Sequence, residues 1–327
     1  MKKKLVVGLF LGGLLVYLSV RGINFQDVVE GFKSVNYRYI LPVLIILLCM
    51  QGLRSWRWGL ILSPIEKVDQ FSLFSVTSVG FLAIVAIPAR LGELVRPYLI
   101  ANKSHIKMSA ALGTIFVERI FDSLTVLIIF FFVLFITPLP LWLIQSGTIF
   151  LLITAMFFAV MIFMFIKRDS SLEVLNRLLR KLPEKFSKKI HRLLHHFIDG
   201  FAIITDLKLL FNVGFLSILI WLINAVAIYF MFLSFGFTLP PEATLVLMIV
   251  LMIGIVIPAA PGFIGNWHFF CILALSFYGI PKTEALTFAV IYHFISIGFV
   301  IILGLVFLPF NKFSYSDLTL QVPSGQN

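Results

Sequence analysis

Nine apolar stretches divide the chain, at 5–20, 39–53, 71–88, 109–137, 141–166, 209–235, 243–258, 266–280 and 283–310. A helix that crosses a bilayer takes about 20 mostly apolar residues, and runs on this scale leave little room for a water-soluble core. Composition agrees, with 60% hydrophobic and 13% charged residues where a soluble domain carries roughly 25% charged. Mean hydropathy is +1.06, and the 36 Phe residues suit contact with lipid. The expected fold is an all-α polytopic membrane protein. Cys49 and Cys271 lie inside apolar runs and read as packing residues, not as a disulfide or a metal pair.

The net charge of +11 matters through its placement, because basic residues stay on the cytoplasmic side. Lys2, Lys3 and Lys4 precede the first stretch and place the N-terminus in the cytoplasm; with no clear small-residue cleavage site before Arg21, the stretch reads as a retained anchor. Ten Lys and Arg between 167 and 208 mark a cytoplasmic loop, whereas 138–140 and 236–242 contain none and read as external. Parity then fails in the first half, since residue 70 and Lys103 both fall on the cytoplasmic side of 71–88. A re-entrant hairpin over 71–101 restores the count, provided that it is buried in protein or lines a wet cavity.

The chain repeats itself. Residues 83–92, Ala-Ile-Val-Ala-Ile-Pro-Ala-Arg-Leu-Gly, share Ile-Pro-Ala-x-x-Gly with residues 253–262, Ile-Gly-Ile-Val-Ile-Pro-Ala-Ala-Pro-Gly. Pro88 and Pro258 are 170 positions apart, and the flanking spans keep nearly that offset while running in opposite senses. Broken apolar segments at matching places in two inverted halves point to a transport site near the midplane. The expected architecture is about six spanning helices plus two opposed re-entrant hairpins, 71–101 and 243–280, in one membrane domain over 1–310. The repeat units are about 39–137 and 209–310, followed by a polar tail, 311–327. Eight spanning helices, with 243–258 and 266–280 both crossing, satisfy parity equally.

Several charges stand where lipid would exclude them. Arg90, Glu93 and Arg96 recur at i, i+3, i+6, one face of a helix; two guanidiniums there can clamp a phosphate, with Glu93 holding one in place. Glu118, Arg119 and Asp122 lie about ten residues into a span, roughly 14 Å deep at 1.5 Å per residue, where an unpaired charge costs at least ~2.5 kcal/mol. They either neutralise one another or line a substrate path. Arg54 and Arg57, beside Trp56 and Trp58, mark the cytoplasmic end of the second span, either as interface anchors or in direct contact with a head group. Pro258, Pro261, Gly262 and Gly265 form the second hairpin's tip, with His268 and His293 as nearby groups that titrate around neutral pH.

Phe186, Ile190, Leu193, Leu194, Phe197 and Phe201 recur at helical spacing in the basic loop, so 167–208 should carry an amphipathic helix that meets an anionic lipid surface. His191, His195 and His196 have no acidic or Cys partner at ligand spacing in this reading, so no metal and no cofactor are expected. The sequence contains no phosphate-binding Gly-x-x-x-x-Gly-Lys-[Ser/Thr] loop, no His-Glu-x-x-His, no Gly-x-Ser-x-Gly and no Asp-x-Asp pair.

Trp-Arg-Trp at 56–58, Ile-Pro-Ala-Arg-Leu-Gly-Glu-Leu-Val-Arg at 87–96, Val-Glu-Arg-Ile-Phe-Asp at 117–122 and Pro-Gly-Phe-Ile-Gly at 261–265 follow in that order. Together they resemble the flippase-like membrane family named after the transmembrane region of lysylphosphatidylglycerol synthase, over roughly 1–310. The resemblance implies a lipid or lipid-linked-sugar flippase, here stand-alone, without the soluble aminoacyl-transferase domain. It carries over to Arg57, Arg90, Gly92, Glu93, Arg96, Glu118, Arg119, Asp122, Pro261, Gly262 and Gly265. The chain departs from the family pattern at His268, where Glu is usual, and at His293, where Arg is usual.

The expected function is movement of a phosphate-bearing amphiphile, a phospholipid or a polyprenyl-phosphate-linked lipid, across the inner membrane by a multi-pass protein with both termini cytoplasmic. It is expected to be a transporter and not an enzyme. The alternative is a membrane-embedded accessory subunit or enzyme of glycolipid or envelope synthesis, with a glycosyltransferase as partner. Nucleic acid is not an expected partner.

Overall fold

The computed structural model describes residues 2–87, 92–138, 140–167, 184–256 and 260–311. Arg90 and Pro258, much of the basic loop and the tail beyond 311 lie outside the described residues. The protein is all-helical, with twelve α-helices and no strand among the described residues. In chain order these are α1 Lys2–Val20, α2 Phe25–Ser34, α3 Ile40–Leu62, α4 Gln70–Ala86, α5 Val95–Lys103 and α6 Met108–Ile136, then α7 Leu141–Ile166, α8 Glu184–Asp199, α9 Leu207–Ser234, α10 Glu242–Val256, α11 Asn266–Ser276 and α12 Lys282–Phe307.

Five helical segments are long and apolar enough to cross a membrane: Tyr37–Leu62, Met108–Ile136, Leu141–Ile166, Leu207–Ser234 and Lys282–Asn311. With 26 to 30 residues each, they run about 39–45 Å at 1.5 Å per residue, enough for a hydrocarbon core of about 30 Å. α1 is the sixth expected span. Large apolar side chains point outward along these helices, among them Phe135, Leu141, Leu152, Phe211 and Ile302, as a hydrocarbon solvent requires. Polar side chains cap helices at the ends: the Asp69 carboxylate accepts from the Ser72 N–H at α4 (2.8 Å), and Asp206 accepts from Lys208 and Leu209 at α9.

α4 and α5 fold back on each other, so that the Gly92 backbone lies on Ala83 and Ile84 and the Arg96 stem lies on Gly80. α10 and α11 do the same, with the Asn266 amide donating to the Gly254 carbonyl (2.9 Å). α11 has 11 residues, about 16 Å, too short to cross. The hairpin reading therefore holds over the eight-span alternative.

The two halves exchange contacts as a two-fold axis requires. α4 packs on α12 as α10 packs on α6, and α3 meets α12 as α9 meets α6. The counterparts α3 and α9 pack directly, and antiparallel: the Asn36 N–H donates to the Ser234 carbonyl at one end (2.8 Å) and Arg57 reaches Ser217 nearer the other (2.8 Å). An axis relating two antiparallel neighbours lies perpendicular to both, which is the geometry of an inverted repeat. The two hairpins also close alike. A Cβ on Gly80 would strike Arg96, and one on Gly254 would strike Phe270, so in each hairpin the second limb closes on a glycine of the first.

Two expectations about single elements change. Arg54 and Arg57 do not end the second span, because α3 continues to Leu62 and Arg57 is 2% exposed. Carboxylates on a neighbouring helix neutralise Arg57, so the charge need not reach the interface. In the basic loop, α8 covers 184–199 as an amphipathic helix, yet Ile198 and Phe201 are buried while Leu193 is half exposed. Phe197 and Phe201 pack on Phe116 of α6, so part of its apolar stripe faces the bundle.

Candidate functional site

Glu118 and Asp122 stand one turn apart on α6 and collect arginines from three other positions. Arg57 of α3 donates to Asp122 through both terminal nitrogens, at 2.6 and 3.3 Å, and to the Ser217 hydroxyl of α9. The Trp221 indole N–H of α9 also donates to Asp122 (3.3 Å). Arg96 of α5 forms a two-pronged pair with Glu118, both contacts 3.0 Å, and its guanidinium lies 4.3 Å over the Trp58 ring. Trp58 is held in turn by an N–H···O bond to Thr114 (3.1 Å). Arg57, Arg96 and Glu118 are each 2% exposed. Arg119 bonds to Glu118 and stands 3.5 Å from Asp122, but its side chain is 47% exposed.

The network fastens the first hairpin to the spans. Glu118 anchors α5, Asp122 anchors α3 and α9, and α6 supplies both carboxylates. Bidentate geometry is what makes such burial tolerable, because each charge then meets a matched partner. Among the described residues arginine also exceeds carboxylate here: Arg54, Arg57, Arg96 and Arg119 share Glu118 and Asp122, with Glu93 within electrostatic reach of Arg119. Arg54, one turn before Arg57 on α3, makes no ion pair among the described residues; its guanidinium lies 5.1 Å over the Phe81 ring of α4 and within electrostatic reach of Asp122 and Tyr292. It sits eight residues before the end of α3, about 12 Å inside the helix.

Arg119 does pair with Glu118 and Asp122 along α6, but both carboxylates also take arginines from other helices. Arg96 is held by Glu118 and not by Glu93. Glu93 lies in a 3-10 turn before α5 begins and is half-buried. Glu93 and Arg96 thus sit on different elements, the 3-10 turn and α5, which begins at Val95. Arg90, its third member, lies outside the described residues. Ser217, Trp221, Thr114 and Phe81 enter unannounced. Ser217 and Trp221 share a face of α9 at i, i+4, the one local signal that could have paired them.

The tip of the second hairpin turns through Pro261–Phe263, with positive φ at Gly262 (68°), Phe263 (59°) and Gly265 (90°). Glycine meets this backbone demand without a Cβ penalty, and a Cβ on Gly265 would also strike the Gly12 backbone of α1. His268 and His293 come together here, with ring centroids 4.8 Å apart. His293 Nε2 stands 2.7 Å from the Gly262 carbonyl and so carries the donated proton. The buried Trp267 Nε1 and His268 Nδ1 have no hydrogen-bond partner among the described residues. This tip packs on α4 of the first hairpin, so the broken segments of the two halves meet. Pro258 lies outside the described residues.

Spanning helices, paired hairpins and an interior charge network define a polytopic α-helical membrane protein built as two opposed halves. The profile of the lysylphosphatidylglycerol synthase TM region matches residues 5–304, and the chain belongs to that family. It is 22% identical over 335 residues to a UPF0104 membrane protein of Methanothermobacter thermautotrophicus, covering 97% of this chain and 98% of that one. It is 26% identical over 228 residues to the UPF0104 membrane protein MJ1078 of Methanocaldococcus jannaschii, covering 67% of this chain and 90% of that one. No solved structure matches the chain.

Proposed function

We propose that the protein is a transporter that moves a phosphate-bearing lipid or lipid-linked sugar between the leaflets of the cell membrane. The observation that carries this reading is the excess of guanidinium over carboxylate deep in the helix bundle, with Arg54 unpaired among the described residues and Arg119 half exposed. Uncompensated positive charge at membrane depth is costly, and a phosphate group offers the matched acceptor. Arg57 and Arg96 spend their terminal nitrogens on Asp122 and Glu118, only their buried Nε atoms lacking a partner among the described residues, so in this reading they hold the scaffold. Arg54 and Arg119, together with Arg90 of the connecting sequence between α4 and α5, meet the head group while its tails remain in lipid. The Lys-rich N-terminus and the 167–208 loop then face the cytoplasm, where the loop also meets anionic lipid.

The test is dithionite quenching of fluorescent phosphatidylglycerol, phosphatidylcholine and polyprenyl phosphate in proteoliposomes, with and without an imposed proton gradient. Leaflet exchange of a phosphate-bearing class, absent from protein-free vesicles, is expected. Failure to move any class under either condition contradicts the proposal and favours an accessory or enzymatic role.

A further inference from the structure

The basic loop carries a feature that transport does not use. On α8, Asp199 follows His196 by three residues and His195 by four, so the three side chains share one flank of the helix. One ligand atom from each lies within 4.8 Å of the other two. His196 Nδ1 and Asp199 Oδ2 are 3.2 Å apart, close to the ~3.3 Å between neighbouring ligands of a tetrahedral zinc with bonds of roughly 2.0–2.1 Å. The spacing that the histidines lacked in the sequence reading is supplied by Asp199.

The platform beneath them is firm. Ile198 and Phe201 are fully buried, and Gly113 of α6 admits the backbone of Phe197 and Gly200 at contact distance. Beside the cluster lies a cavity of about 530 Å³ lined by His196 and Asp199 together with Glu66, His105 and Lys107. Lys107 opposes a cation there, and Asp199 and Glu66 offset it. Glu66 is oriented by the His105 backbone N–H, which donates to its Oε2 (3.0 Å).

We propose that His195, His196 and Asp199 form a binding site for a zinc-class transition-metal ion, with its fourth coordination position open to this cavity. Two imidazoles and one carboxylate suit zinc and its neighbours, whereas calcium and magnesium take oxygen ligands.

The test uses the full chain in detergent, purified without a polyhistidine tag, stripped with chelator and titrated with zinc chloride by calorimetry, with metal content read by mass spectrometry. A single zinc equivalent is expected, with affinity falling at least about tenfold in Asp199→Asn and in His196→Gln, the low end for disturbing even an outer-shell partner. His191→Ala, one turn outside the cluster, should bind as wild type. Zinc should raise the melting temperature of wild type and His191→Ala, and of neither ligand variant, while all four metal-free proteins melt alike. No uptake, or uptake that survives both ligand substitutions or depends on His191, overturns the assignment.

Discussion

Asp122 receives both prongs of Arg57 and the indole N–H of Trp221, so Asp122→Asn strands a guanidinium that is 2% exposed. Removing one partner of a buried pair costs roughly 3–5 kcal/mol, and the variant should melt well below wild type in detergent. A melting temperature equal to wild type would show that the pair is not structural. Ser217→Ala removes a neutral acceptor from the same guanidinium and should cost only about 1 kcal/mol. These pairings were hidden in the sequence because the partners are 65 and 160 positions apart. The presence of buried charge was legible; which charge answers which depends on helix packing. Arg54 and Arg57 illustrate the same limit, since adjacent tryptophans resemble an interface belt until α6 is seen to supply the carboxylates.

At the scale of elements, hydropathy placed the spans and the Pro/Gly breaks placed both hairpins, because lipid leaves few alternatives to a helix. The close contacts of Gly80 with Arg96 and of Gly254 with Phe270 escaped, since the residues that fill them are chemically unlike. The first hairpin also depends on its cap. The Ser72 backbone N–H donates to Asp69 and holds its carboxyl below the ordinary value. A depressed folded pKa means that this stabilisation is present above the unfolded value, about 3.9, and is lost as pH falls through the folded one. Asp69→Ala should therefore cost about 1 kcal/mol at neutral pH, and its melting curve should converge on wild type in acid. A gap that persists unchanged at low pH would assign the effect to something other than the charged cap.

Viewed whole, the molecule is two opposed halves whose broken segments touch, surrounded by helices with outward apolar faces. Exposed Thr205 and Thr238 flank α9. Cysteines placed at these two positions, in a background without Cys49 and Cys271, should label with a membrane-impermeant maleimide from opposite faces of the membrane. Labelling of both from one face would refute α9 as a span and with it the inverted repeat.

The central claim, that unpaired guanidinium inside the bundle handles a phosphate head group, is tested most directly by transport in Arg54→Gln beside wild type at matched reconstitution. Arg54 makes no ion pair among the described residues, so the variant should fold and melt like wild type. A charge-assisted hydrogen bond is worth about 1.5–3 kcal/mol, so exchange of the phosphate-bearing lipid should slow by roughly tenfold or more. Wild-type exchange by a folded Arg54→Gln protein would contradict the account.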